Sequence, residues 1–380
     1  MRVRLFALFL LLIFAPAAAK AQEFQTTASH AVILDYETGE VLFDHNANEP
    51  MPPASMSKLM TLLMAFEAIE RGALSMDDEL PVSEYAWRTG GAASGSSTMF
   101  LEVNSRARVD DLLRGIIVQS GNDACIVIAE ALSGSEEAFA ADMTARAREL
   151  GLESATFSNS TGWPHPNQRI SAADLARLTA IMIRDYPDLY EIFAEREFTY
   201  NGIRQFNRNP LLAVMPSVDG LKTGHTEESG YGLVASGERD GVRRIVVYNG
   251  MESERARASE GERLMRAALT DFELVELAEA GDIVGEAGLF LGQAETVPLA
   301  VIEPVRFGVH VRARDNIRAE IVYDGPIAAP VSEGDIIAVL EVSAPGIETR
   351  RFDLVAAENA GRQGLFGRAI AGLGRLFGLN

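Results

Sequence analysis

The chain has 380 residues, enough for two ordinary domains, and 47 % of them are hydrophobic, so a sizeable core can form. A formal net charge of -20 excludes a nucleic-acid partner, because phosphate binding needs clustered Lys and Arg. The single cysteine excludes an internal disulfide, and the apolar setting of Cys125 marks a buried structural thiol.

Residues 1–21 read as a signal peptide. Arg2 and Arg4 precede the apolar run Leu5 to Phe14, which is too short to span a bilayer with ease, and Ala19-Lys20-Ala21 matches a small-x-small cleavage pattern. Ala31 to Asp35 predicts a buried strand, and Glu40 to Phe43 its return across the turn Tyr36-Glu37-Thr38-Gly39. Ser57 to Arg71 has helical spacing, with Leu59, Leu62, Leu63, Phe66 and Ile69 three or four residues apart. Thr89 to Ser97 is rich in Gly, Ala and Ser and reads as a loop. Val109 to Leu132, Ser135 to Leu150 and Ala172 to Arg184 read as helices, the last with Ser171 as N-cap. Gly232 to Ser236 and Arg244 to Tyr248 are strands around the turn Glu238-Arg239-Asp240-Gly241, and Ser259 to Phe272 is helical. Residues 22–279 therefore predict an α/β domain, an antiparallel sheet covered by helices.

From about residue 280 the helices stop. Short strand-like runs separated by turn residues predict a small all-β sandwich over 280–357. Residues 362–380 differ again: Leu365, Phe366, Ile370, Leu373, Leu376 and Phe377 fall on one helical face, and Arg362, Arg368 and Arg375 are the only charged side chains. That is the pattern of an amphipathic helix lying on an anionic membrane surface.

Three short motifs carry chemistry. Ser55-Met56-Ser57-Lys58 opens a predicted helix, where positions i and i+3 share a face, so Ser55 and Lys58 can meet. A serine hydroxyl needs a base to become a nucleophile, and a lysine serves once burial or a second cation lowers its pKa. Ser120-Gly121-Asn122 offers a hydroxyl able to pass a proton and an amide able to hold a peptide. Lys222-Thr223-Gly224-His225-Thr226, just before a predicted strand, offers a positive charge, a hydroxyl for a carboxylate, and a glycine that lets backbone approach a ligand. The five histidines are scattered with no metal-ligand spacing, so neither metal nor cofactor is expected.

The order and spacing of the three motifs are those of penicillin-binding proteins and class A β-lactamases. Across nearly the whole mature chain the sequence resembles the low-molecular-mass, serine-type D-alanyl-D-alanine carboxypeptidases. The resemblance also runs through Leu34 to Gly39, Pro53 to Thr61, Gly95 to Leu101, Arg114-Gly115-Ile116, Ser120 to Ala124, Phe157-Ser158-Asn159, Ser171 to Leu175 and Gly230-Tyr231. It implies a β-lactamase/transpeptidase-like domain, a following β domain and a C-terminal amphipathic helix. It implies that Ser55 is acylated, that Lys58 is its base, and that Ser120, Asn122 and Lys222 complete the proton network and peptide clamp. The oxyanion hole falls to the backbone N–H groups of Ser55 and His225. Thr223 and an arginine bind the terminal carboxylate; Arg257 occupies the family's place, with Arg255 close by. Ser160-Thr161-Gly162-Trp163 departs from the family's usual Pro-x-Gly-Leu without removing a catalytic group.

The resemblance thus implies removal of the terminal D-alanine from peptidoglycan stem pentapeptides, and covalent capture by β-lactam antibiotics. The expected location is the periplasmic face of the inner membrane, held there by the C-terminal helix. Two other readings share the motifs. A class A-like β-lactamase needs a carboxylate to activate a deacylating water, and the extra β domain argues against it. A catalytically weak wall scaffold is at odds with three intact motifs.

Overall fold

The computed structural model describes residues 24–345 and 347–364. The expected signal peptide, and the expected terminal helix from residue 365 onward, lie outside the described residues.

The α/β domain is built on a five-stranded antiparallel sheet. Its spatial order is Val41–His45, His30–Asp35, Val242–Met251, Gly230–Arg239 and Val218–Thr226. Side chains alternate across a strand, and here both faces are covered, so the strands read as near-continuous apolar runs. Val32, Leu34, Val234 and Val247 enter one core with most of the helices. Ile33, Leu233, Val246 and Tyr248 enter the opposite core, which the helix Glu254–Thr270 closes with Leu264, Met265 and Ala268. The helix Lys58–Glu70 is buried almost all round, from Leu59 to Phe66 and Ala68. A helix apolar on every side belongs in the middle of a domain, and its first residues are thereby fixed by packing.

Two helices differ from their sequence expectations. The single helix expected over Val109 to Leu132 is two, Val109–Gln119 and Asn122–Ser133. Ser120 takes a left-handed conformation (φ 61°) and Gly121 N–H donates back to the Gly115 carbonyl at 3.0 Å, ending the first helix. The helix expected from Ser259 starts at Glu254, where Ser253 Oγ accepts from Ala256 N–H at 3.1 Å. The segment expected as a loop from Thr89 holds the end of a short helix, Glu84–Gly90, and one 3₁₀ turn, Ala92–Ser94.

The β domain is a sandwich. A six-stranded sheet, in the order Arg318–Val322, Ile336–Ala344, Ile347–Ala356, Thr296–Val301, Ile283–Phe290, Ile327–Ala328, packs on the pair Phe272–Ala278 and Val305–His310. Val305, Phe307 and Val309 meet Leu340, Val342 and Leu354 in its core. Its first strand is Phe272–Ala278, so the unit starts ahead of residue 280, where the composition shifts. Arg362 bridges Gly292, and Gln363 N–H donates to the Leu291 carbonyl at 2.8 Å. Those residues belong to the β domain, and a terminal helix therefore cannot begin at Arg362. Where the domains meet, Phe24 stacks edge-on against Phe43 and Phe272, and Arg350 pairs with Glu40 at 2.6 Å. A cleft of about 510 Å³ lies at this junction and shares no residue with the three motifs.

Candidate active site

Ser55 lies in a 3₁₀ turn, Ala54–Ser57, that runs directly into the buried helix. Ala54 is held at a positive φ of 48°, and Ser57 Oγ donates to the Ala54 carbonyl at 2.9 Å. The turn is clamped from two sides. Gly224, in the edge strand, comes so close that a Cβ there would lie 2.8 Å from the Pro53 carbonyl oxygen. Gly162, with φ 83°, approaches from a loop; a Cβ there would stand 2.0 Å from the Ala54 carbonyl oxygen. Neither position has room for another residue, which explains the glycine in Lys-Thr-Gly.

The i, i+3 relation expected for Ser55 and Lys58 is realised: Lys58 Nζ donates to Ser55 Oγ at 2.9 Å. It also donates to the Thr161 carbonyl. Thr161 was not expected to act, because its contribution is a backbone oxygen in the loop that departs from the family pattern. Lys58 is fully buried and no carboxylate pairs with it among the described residues. Its pKa is lowered to about 8, chiefly by burial and also by Arg208, against the raising influence of Cys125, Glu136 and Asp123.

Lys222 lies inside the strand Val218–Thr226, not ahead of it. It is buried, and Nζ donates only to its neighbour's carbonyl, Thr223, at 3.3 Å. Burial holds its pKa well below the usual lysine range, and repulsion from Lys58 adds to the effect. Two of the chain's three lysines are thus buried close together. Two such ammonium groups without a buried counter-ion cannot both stay charged, so one is driven to the neutral amine.

The break between the two helices presents the second motif. Ser120 Oγ and Asn122 Oδ1 are buried and have no hydrogen-bond partner among the described residues. Asn122 Nδ2 donates to Ser96 Oγ at 3.0 Å, and its backbone N–H to the Ser97 carbonyl at 2.8 Å. Asp123 fixes the facing loop: it accepts from Thr98 Oγ1 at 2.6 Å and from the N–H groups of Met99 and Leu101 at 3.0 and 3.1 Å. Cys125 follows on the same helix, buried, its thiol pushed up to about 12 by burial. It is the structural thiol expected.

Third-motif residues line a stack of rings. His225 lies on Tyr231 with centroids 3.8 Å apart, and the Arg257 guanidinium sits 5.6 Å from the Tyr231 centroid. Arg257 is buried, its Nε has no hydrogen-bond partner among the described residues, and its charge reaches Lys222. Arg255, one helical half-turn away, is exposed. Thr223 is buried beside Gly224. Sequence reasoning missed Arg208, which donates to Ser97 Oγ at 2.6 Å and whose charge reaches both buried lysines. Nothing in Asn207-Arg208-Asn209 signals this locally. Among the described residues no group of His, Cys, Asp and Glu could hold a metal.

The arrangement is a buried amine against a serine hydroxyl, with a cationic rim able to take an anionic group. Residues 16–252 match the family described as D-alanyl-D-alanine carboxypeptidase, and residues 272–362 match the C-terminal domain of penicillin-binding protein 5. The chain is 35 % identical to the D-alanyl-D-alanine carboxypeptidase DacC of Escherichia coli, over 94 % of this chain and 91 % of the relative. It is similar to the crystal structure of penicillin-binding protein 5 from Haemophilus influenzae, with 33 % identity and TM-score 0.66, covering 89 % of this chain and 98 % of that one. It is also similar to the ampicillin-bound form of penicillin-binding protein D2 from Listeria monocytogenes, with 29 % identity and TM-score 0.56, covering 64 % and 98 %. The chain belongs to the D-alanyl-D-alanine carboxypeptidase family of serine peptidases.

Proposed function

We propose that this serine-type D-alanyl-D-alanine carboxypeptidase works through an acyl-enzyme on Ser55, with Lys58 as base. The observation that carries the reading is the buried Lys58 amine, 2.9 Å from Ser55 Oγ and with its pKa lowered to about 8. Neutral Lys58 takes the proton of Ser55 as Oγ attacks the carbonyl of the penultimate D-alanine. The negative charge on that carbonyl oxygen is met by the N–H groups of Ser55 and His225. Collapse breaks the C–N bond, and the leaving amine takes a proton relayed through Ser120, releasing free D-alanine. Water then cleaves the Ser55 ester and restores the hydroxyl. Asn122 holds the substrate backbone, and Lys222 completes the proton network with Ser120. The substrate is the stem peptide of peptidoglycan, and a β-lactam is captured by the same attack. Release of D-alanine from a peptide ending in D-Ala-D-Ala, with no L-alanine released from the same peptide ending in D-Ala-L-Ala, tests the reading.

The free C-terminus is recognised by Thr223, Arg257 and the adjacent charge of Arg208. Arg257→Ala is expected to raise KM for a free-acid peptide by about ten- to a hundredfold, the loss of a charged hydrogen bond. Use of the corresponding C-terminal amide should change little. Equal losses on acid and amide would make Arg257 a purely structural residue.

The enzyme acts on the periplasmic face of the inner membrane, as a peripheral protein. No helix among the described residues is long and apolar enough to cross a membrane. The sequence after Gly364 supports attachment: seven large apolar residues, each adding on the order of 1 kcal/mol when immersed, and two arginines adding about 1 kcal/mol each near anionic lipid. Deleting residues 365–380 is expected to move the exported enzyme into the soluble fraction with activity on small peptides intact. Retention of the truncated enzyme by membranes would place the anchor elsewhere.

A further inference from the structure

A carboxylate outside all three motifs is built into the support of the proposed base. Glu136 opens the helix Glu136–Glu149, but capping is done by Ser135, whose Oγ accepts from Ala138 N–H at 3.1 Å. Glu136 is free for another task. Its Oε1 accepts from Ser160 N–H at 3.1 Å and from Ser160 Oγ at 2.7 Å. Its Oε2 accepts from Tyr85 OH at 3.0 Å. No arginine or lysine among the described residues forms an ion pair with it. Ser160 is fully buried, and its own carbonyl accepts from Thr61 Oγ1, on the nucleophile helix, at 2.7 Å. The next residue is Thr161, whose carbonyl receives Lys58 Nζ. Asn159 Oδ1 holds the other end of this loop, accepting from the N–H groups of Thr161, Gly162 and Trp163 at 3.2, 2.7 and 3.1 Å.

We propose that Glu136 is a positioning residue for the Lys58 base, acting through Ser160 and the Thr161 carbonyl. The inference rests on Lys58 being the base. Both carboxylate oxygens accept from protein donors, so Glu136 ties the Ser160 loop to its own helix and to Tyr85. Its charge has a second effect. The titratable and charged groups around Lys58 are Lys222 and Arg208, which disfavour its ammonium form, and Asp123, Cys125 and Glu136. The Cys125 thiol stays neutral below about 12, and Asp123 is tied to the 98–101 loop. Glu136 favours the ammonium, so its removal makes Lys58 easier to deprotonate.

The two effects separate in two variants. In Glu136→Gln the amide oxygen still accepts from Ser160 but the charge is gone. In Glu136→Ala both are lost. The rate constant for acylation by benzylpenicillin, followed against pH on the whole enzyme, reads them apart. Glu136→Ala is expected to lower the plateau about tenfold, with KM for D-Ala-D-Ala peptides nearly unchanged. Glu136→Gln is expected to recover most of that plateau and to carry its acidic limb to lower pH. A wild-type plateau in Glu136→Ala, or an acidic limb in Glu136→Gln that stays in place or moves up, overturns the proposal. Should Glu136→Ala fail to fold by circular dichroism, the limb of Glu136→Gln decides alone. Lys58→Ala, run in parallel, separates the levels: retained acylation there overturns the base assignment and this proposal together. Its loss beside silent Glu136 variants overturns only this proposal.

Discussion

Ser55→Ala is expected to lose D-alanine release and penicillin acylation together, by about 10⁴-fold or more, with the fold unchanged. Covalent catalysis divides one hydrolysis into an acylation and a deacylation, and neither exists without the hydroxyl. Effects of groups that act as a unit are far from additive, so removing the nucleophile costs nearly all that the site contributes. The fold has little to lose: among the described residues Ser55 Oγ is bound by Lys58 Nζ alone, whereas the turn is held by Ser57 Oγ on the Ala54 carbonyl. Near-ultraviolet circular dichroism and melting temperature should match the wild type. Acylation that persists at Ser57 would place the nucleophile two residues on.

Lys58→Ala is expected to lower acylation by on the order of 10²–10⁴-fold, the usual contribution of a positioned general base. The pH dependence of the wild type reports the same group. A lysine whose pKa is lowered to about 8 becomes neutral as pH rises through that value. The acylation rate should therefore climb through the neutral range with its midpoint near pH 8 and level off above it, instead of having its midpoint near the free-lysine value of about 10.4. Lys222 is lowered as well, chiefly by burial and then by Lys58, so the Lys58→Ala variant decides which amine the limb reports. Loss of the limb in Lys58→Ala, measured on the residual activity, ties it to this residue. A wild-type limb near 10 would contradict the burial argument outright.

What was legible in the sequence follows the range of the interactions concerned. The Ser55–Lys58 contact is local, set by helix geometry over three residues, and the spacing alone implies it. Strands buried on both faces announce themselves by apolar runs, as Ile33 and Val246 do. The break at Ser120 had a local signal in Ser120-Gly121-Asn122, all poor helix formers, but the apolar spacing that continues on both sides outweighed it. The choice between Arg257 and Arg255 depended on helical phase, which was lost when the helix was taken to begin at Ser259 instead of Glu254. The supports of the site escaped for a different reason. Lys58 and Thr161 are 103 residues apart, Arg208 and Ser97 111 apart, and in each pair one partner is an ordinary loop residue. No local pattern encodes such contacts; they exist only once the cores on both faces of the sheet have formed.

On the proposed mechanism one residue, Ser55, carries the acyl group from substrate and from β-lactam alike. The direct measurement is peptide mapping by mass spectrometry of wild-type enzyme, quenched after mixing either with benzylpenicillin or with an ester analogue of a D-Ala-D-Ala peptide. Both reagents should leave their acyl mass on the peptide containing Ser55, with fragmentation placing it on that residue. An adduct on Ser57, Ser120 or Cys125, or different residues for the two reagents, would contradict the account.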